Sequence, residues 1–279
     1  MRITVAGYGA IGHYIDSVFG AKHEVLPYDP PKGLGSPADL RDTDFVFICV
    51  PTPPQADGSG DTSAVEEVVA LAAPRRAIVC ESTVPVGTTQ RLIDEYAKPL
   101  VFVPEYAGEE ADHPFRDAPG RRFFIYGGYE PAASQVLDLF AGVYSREARH
   151  HIVPPTTAEM VKYMENSFLA MKVAFCNEFF DLCQGFGVEY EEARQLWLQD
   201  WRIGGSHTLV TPERGYGGKC LPEDVAAICA TGRETGIPME IMEAVQHANL
   251  RHRGAGSLGS LAPLGRVGSI VPSPSGEMK

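Results

Sequence analysis

One cysteine stands apart from the others by its neighbours. Residues 215–224 read Gly-Tyr-Gly-Gly-Lys-Cys-Leu-Pro-Glu-Asp, so a glycine-rich turn delivers Cys220 to the start of a helix in which Pro222 suits the first turn. A helix N-terminus favours a thiolate, and the adjacent Lys219 adds positive charge. That is the setting of a nucleophile, although a loop cysteine that merely packs would carry the same local sequence. Upstream, Lys162 and Asn166 are four residues apart and so share one helix face. A cation and an amide donor side by side can stabilise a developing oxyanion. A solvated lysine beside an incidental asparagine is the plainer reading of the pair.

A second constellation lies at the N-terminus. Gly7-Tyr8-Gly9-Ala10-Ile11-Gly12 fits GxGxxG directly after an apolar run and at the opening of a helical one. Gly7 allows a tight turn, Gly9 lets a pyrophosphate approach the backbone, and Gly12 permits close helix–strand packing. Ala10 and Ile11 complete the cradle, where the helix N-terminus offers N–H groups and a partial positive charge. Asp29 lies 22 residues beyond Gly7, at the end of the next apolar run. A carboxylate there binds the adenosine ribose and repels a 2′-phosphate, which favours NAD over NADP. The fingerprint alone would also admit FAD; the downstream motifs argue against it.

These groups need a frame. Residues 3–6, 24–28, 45–50, 77–80, 100–103 and 123–126 are β-rich runs, several continuously apolar, as in parallel strands buried on both faces. Helical stretches between them imply βαβ units in a doubly wound, Rossmann-like α/β sheet over residues 1–153. From Thr156 to Gln184 there is neither Gly nor Pro, Thr156 and Glu159 fit a capping box, and Gly185 offers a stop. A helix of that length, about 43 Å at 1.5 Å per residue, suits domain linking or dimer formation. Helices over 190–199, from just after Cys220, and from 238 to about 253 complete an all-helical domain over residues 154–253. The Gly/Ser/Pro/Ala-rich stretch 254–279 reads as a disordered tail.

Composition limits the partners. Hydrophobic residues make up 44% and charged residues 22%, with a net charge of −12, which disfavours nucleic acid and anionic membranes. There is no secretory leader pattern and no apolar run of about 20 residues. The six cysteines form no CxxC pair; reduced thiols, a cytoplasmic location and no metal site are expected. The pairs Glu66-Glu67 and Glu191-Glu192 read as exposed helix faces. His150 and His151 read as solvated groups at a domain junction, and Trp197 and Trp201 as packing residues.

Taken in order, separated motifs make the chain resemble the UDP-glucose/GDP-mannose dehydrogenases. They are Val50-Pro51-Thr52-Pro53, Ser82-Thr83-Val84-Pro85-Val86-Gly87, Pro104-Glu105-Tyr106 with Glu109, Glu159-Met160-Val161-Lys162 through Asn166, Arg202-Ile203-Gly204, and Gly217-Gly218-Lys219-Cys220 with Asp224. The resemblance runs from Met1 to about Arg253. It implies oxidation of a sugar C6 alcohol to a carboxylate in two steps with two NAD per sugar. The aldehyde is held on Cys220 as a thiohemiacetal, then oxidised to a thioester that water hydrolyses. On the same resemblance, Lys162 and Asn166 stabilise oxyanions, Asp224 and Thr83 orient water and assist proton transfer, and Glu105 is the base in thioester hydrolysis. Thr52 and Thr83 contact NAD, and Glu109 lies near nicotinamide and substrate. Tyr106, Gly217 and the stretch Leu209, Val210, Thr211, Pro212 and Glu213 contact the nucleotide sugar. Arg202 reaches the neighbouring subunit's substrate, which implies a homodimer.

The sequence departs from that pattern twice. Family members usually carry a third, C-terminal domain that grips the nucleotide, where this sequence has its polar tail. A fragment, a short form, and a grip supplied by another chain are all open. Glu223 also stands where similar enzymes commonly have a lysine near NAD, which reverses the local charge. Two other readings therefore stay open: a catalytically weak NAD-binding module, and a two-domain β-hydroxyacid dehydrogenase that needs no nucleophilic thiol.

Overall fold

The computed structural model describes residues 1–106, 121–144 and 147–254. Glu109 and residues 255–279, read above as a tail, lie outside them. Among the described residues, seven strands form one sheet in the order β2-β1-β3-β4-β5-β6-β7. They are β1 (Arg2–Ala6), β2 (Glu24–Tyr28), β3 (Phe45–Ile48), β4 (Ala77–Cys80), β5 (Leu100–Phe102), β6 (Phe123–Gly127) and β7 (Arg149–Val153). The first five run parallel, in registers such as Phe47 beside Val79 and Val79 beside Val101. The expected parallel sheet is therefore mixed at one edge, because β6 joins β5 antiparallel and β7 then runs parallel to β6.

Side chains alternate across each strand and split the core in two. Val5, Phe47, Val79, Val101 and Phe124 pack on one face with Ile15 and Phe19 of α1 (Ala10–Phe19) and with Phe140 of α4 (Ala132–Val143). Val46, Ile48, Ile78, Leu100 and Phe102 pack on the other with α2 (Ser63–Leu71) and α3 (Thr88–Tyr96). Both faces of the central strands are covered, which is why their sequences are continuously apolar rather than alternating.

β7 was not expected. His150 is not solvated: its Nδ1 lies 2.8 Å from the Tyr126 hydroxyl and its ring stacks on Phe124 and Tyr126. The polar pair His150-His151 at an edge of the sheet masked the strand signal, since only one face there is covered.

The long helix α5 runs over Pro155–Phe186, with Pro155 at its first position and Gly187 in the left-handed conformation as its stop. Gly185 is inside the helix, and the capping box does not form. The Glu159 carboxylate instead crosses to α3, accepting the N–H groups of Gly87 at 2.6 Å and Thr89 at 2.8 Å. It caps the start of another helix. Three further helices follow: α6 (Tyr190–Trp197), α7 (Cys220–Thr235) and α8 (Glu240–Arg253). Tyr163, Ala170 and Ala174 of α5 share a core with Val225 and Ile228 of α7 and Met242 and Val245 of α8. Trp197 lies 5.8 Å from the Phe175 ring, whereas Trp201 is 87% exposed and packs in no core.

Candidate active site

The glycine turn sits at the C-terminal ends of β1 and β3, where chain order reverses across the sheet and α/β proteins bind ligands. Gly7 has φ +88°, and a Cβ there would fall 2.5 Å from the Cys49 carbonyl oxygen. A Cβ on Gly12 would collide with the Gly7 carbonyl. At Gly9 it would meet nothing within 4 Å. The open space therefore lies beside Gly9 and Ala10, both exposed, at the N-terminus of α1. That opening, with free helix N–H groups behind it, fits a pyrophosphate. Asp29 accepts the Tyr8 N–H at 3.0 Å and pairs with Lys32 at 3.1 Å. Burial pushes this carboxyl up, but the Tyr8 N–H and Lys32 outweigh it and hold it below the usual range. Lys32 is a partner that sequence reading did not provide. Ile11 is half-buried behind the turn. Further along the strand ends, the Thr52 hydroxyl donates to the Thr83 carbonyl at 2.8 Å, tying together two of the residues expected at the cofactor.

α5 carries the second half. Lys162 and Asn166 are both buried, which removes the reading of a solvated lysine with an incidental neighbour. Lys162 Nζ donates to the Glu105 carbonyl at 2.8 Å and lies 4.9 Å from the centre of the Tyr106 ring. Asn166 Nδ2 donates to the Asp224 carboxylate of α7. Burial raises the Asp224 carboxyl, and Lys162 and Asn166 oppose it. Cys220 is the first residue of α7, one turn before Asp224, and is exposed. Beside it, burial and the neighbouring Asp224 push Glu223 up, with Lys219 opposing them.

Glu105 carries further contacts. Its Oε1 accepts the Tyr106 N–H at 2.7 Å and its Oε2 lies 3.2 Å from Arg121. Arg121, almost wholly buried, also donates to the Pro104 and Phe123 carbonyls. No motif marked Arg121; it is a cation that only the folded strand ends bring to Glu105.

The glycine-rich turn before Cys220 is clamped from both sides. Asn177 of α5 accepts the Gly215 N–H at 3.0 Å and the Arg214 guanidinium at 2.8 Å. Asn249 of α8 both accepts from and donates to the backbone of Tyr216, at 2.7 and 3.0 Å. A Cβ on Gly217 would fall 2.7 Å from the Arg253 guanidinium, so the end of that flexible side chain rests against the glycine. The remaining expected substrate residues are not gathered into this cluster. Leu209, Thr211, Pro212 and Glu213 are exposed and Val210 is half-buried, on a stretch anchored by the buried Thr208. Arg202 is exposed and paired with Asp200.

Taken together, an open glycine turn over a Rossmann sheet, with a buried Lys–Asn–Asp cluster beside an exposed helix-terminal thiol, defines a dinucleotide-binding α/β class. The model of the UDP-glucose/GDP-mannose dehydrogenase family's NAD binding domain matches residues 36–109, and that of its central domain matches residues 156–251. The chain belongs to this family, and its cofactor is NAD. It is 34% identical over 231 residues to the UDP-glucose 6-dehydrogenase of Pseudomonas aeruginosa, covering 77% of this chain and 50% of that protein. Its structure matches that of a UDP-glucose dehydrogenase from Pyrobaculum islandicum with a TM-score of 0.78 and 29% identity, covering 90% of this chain and 68% of that one. A 3-hydroxyisobutyrate dehydrogenase of Mycobacterium tuberculosis shares the fold at a TM-score of 0.68 and 17% identity, covering 88% and 91%. The chain spans about half the length of the curated relatives it matches.

Proposed function

We propose that this chain oxidises the C6 alcohol of a nucleotide sugar, UDP-glucose first among candidates, to the uronic acid in two NAD-dependent steps held on Cys220. The observation that carries the reading is the Asn166–Asp224 hydrogen bond. It joins the oxyanion-binding face of α5 to the first turn of α7, one turn from the exposed thiol. Bound NAD supplies the hydride acceptor for each oxidation. The protein's residues do the rest. The Cys220 sulfur adds to the C6 aldehyde, and Lys162 and Asn166 stabilise the oxygen as it gains negative charge. After the second oxidation, water attacks the thioester carbon, Glu105 takes the water's proton, and the carbon–sulfur bond breaks to return the thiolate. Gly7, Gly9, Ala10, Ile11, Gly12, Asp29, Thr52 and Thr83 hold NAD on this reading, with Glu109 also at the cofactor. Tyr106, Arg202, the 209–213 stretch and Gly217 hold the sugar nucleotide. The sheet over 1–153 and the helices over 154–253 then act as two domains joined by α5.

An apolar stripe on α5 supports the homodimer in this reading. Met160, Met164, Phe168, Phe175, Phe179 and Phe186 are exposed along it by 38% to 78%, a stripe that water does not favour. Arg202, 72% exposed at its side chain, is available to a second subunit.

The test is NADH release by the purified chain on a panel of nucleotide sugars. Two NADH per sugar are expected, and Cys220→Ala is expected to abolish turnover. A stoichiometry of one would rule out the four-electron reaction, and full turnover by Cys220→Ala would favour a β-hydroxyacid dehydrogenase. Glu223, a half-buried carboxyl in the first turn of α7, favours a second reading as a catalytically weak NAD-binding module. Calorimetry showing NAD binding without sugar-nucleotide binding would select it.

A further inference from the structure

Glu81 has no role in the site described so far, yet it is among the most confined carboxyl groups in the chain. It follows β4 directly, is 5% exposed, and neither carboxyl oxygen has a hydrogen-bond partner among the described residues. Strand periodicity places it. Phe47, Val79 and Val101 are in register and face α1 and α4. Two residues further along β3 and β4 the same face presents Cys49 and Glu81, and beyond Val103 the chain reaches Glu105. Arg121 enters this edge over the Phe124 ring at 4.3 Å and pairs with Glu105. Tyr14 of α1 and Tyr144 after α4, whose hydroxyls lie 3.2 Å apart, close the chamber from the helix side, and both feel the charges of Glu81 and Glu105.

The groups facing Glu81 are thus Cys49 just after β3, Glu105 three residues past β5, Arg121 before β6, Tyr14 on α1 and Tyr144 after α4. The one guanidinium near the two carboxyls is hydrogen-bonded to Glu105 and two carbonyls, which leaves Glu81 within its field but without a bond to it. Like charges in a shared buried site do not both ionise. We propose that Glu81 is a positioning residue that holds the one proton of this buried pair, so that Glu105 stays a carboxylate on Arg121. This role rests on the reading of Glu105 as the hydrolytic base. Burial, and then the charge of Glu105, drive Glu81 well above the carboxylate range, with Arg121 opposing them. Losing the Glu81 proton would create a second carboxylate that competes for Arg121 and draws away the guanidinium that positions Glu105, so the base would be misplaced at alkaline pH.

The experiment is infrared difference spectroscopy of the purified chain in D2O at pH 7, comparing wild type with Glu81→Gln and Glu105→Gln. Glu81→Gln is expected to remove the C=O stretch of a neutral carboxyl, and Glu105→Gln a carboxylate band. Loss of a carboxylate band in Glu81→Gln would overturn the proposal. Gln and Met both present an uncharged side chain of similar size, so failure of both Glu81→Gln and Glu81→Met to fold would also count against it. These readouts need no turnover and stand even if the chain proves inactive. Where turnover is measurable, its alkaline limb is expected to be lost in Glu81→Gln; an unchanged pH profile would overturn the link to Glu105.

Discussion

Glu159 offers the sharpest test of how this chain holds its two halves together. Its carboxylate accepts the N–H groups of Gly87 and Thr89, at 2.6 and 2.8 Å, and is itself fully buried. Glu159→Ala removes both acceptors and leaves a small cavity. The Thr89 residue is 1% exposed, so its N–H would lose its partner without regaining water, while the half-buried Gly87 N–H would be partly rehydrated. A buried group left without a partner costs about 1–3 kcal/mol, and hydrogen bonds to charged acceptors lie at the upper end. Together these give a loss of about 3 kcal/mol for Glu159→Ala. Glu159→Gln, which keeps one acceptor oxygen, is expected to lose about half as much. Urea unfolding followed by intrinsic fluorescence measures both. A change in Glu159→Ala below about 0.5 kcal/mol would refute the claim that this carboxylate pins α5 to α3, because that is the scale of an ordinary surface substitution.

Other consequences are equally direct. Gly9→Ala is expected to leave the melting temperature unchanged, since a Cβ meets nothing within 4 Å, yet to weaken NAD binding about tenfold or more, as calorimetry would record. Gly12→Ala, whose Cβ collides with the Gly7 carbonyl, is expected to destabilise the fold itself, visible in the same thermal melts. Burial raises the Asp224 carboxyl, so the folded state retains its proton to higher pH than the unfolded chain, and stability falls as pH rises above about 4 towards the folded value. Asp224→Asn removes that loss: it is expected to melt higher than wild type at pH 7, with the gain vanishing below the unfolded pKa, while turnover falls. On the proposed homodimer, Phe168→Glu, at a 54% exposed position on the α5 stripe, is expected to yield monomer in sedimentation where the unaltered chain sediments as a dimer.

Much of the frame was legible because its signals are local. The continuous apolar runs of β3 and β4 gave buried parallel strands, and the absence of Gly and Pro across 156–184 gave α5 to within a turn at each end. The glycine turn was equally readable, since each glycine's need is set within a few residues. Contacts that span the chain were not. Thr156 and Glu159 have the spacing of a local cap, but α3 lies close enough to take the carboxylate instead. β7 was hidden by His150 and His151: His151 is exposed, and His150 reads as solvated until Tyr126 and Phe124 are placed beside it. In the Glu105–Arg121 pair and the clamps of Asn177 and Asn249, the motif residue meets a partner that no motif marks, so only the fold brings the two together.

The long helix has one more implication. Glu159, Lys162 and Asn166 lie on the side of α5 turned to the protein, and Met160, Met164 and Phe168 emerge on the outer side of the same turns. A helix turns 100° and rises 1.5 Å per residue, so these positions cannot move independently. A roll of the rod that improves the fit of anything seated on the outer side would swing the anchor on α3 and the amide beside Asp224 together. On the proposed function, assembly and chemistry would be geared to one shaft, and adjusting either would reset the other.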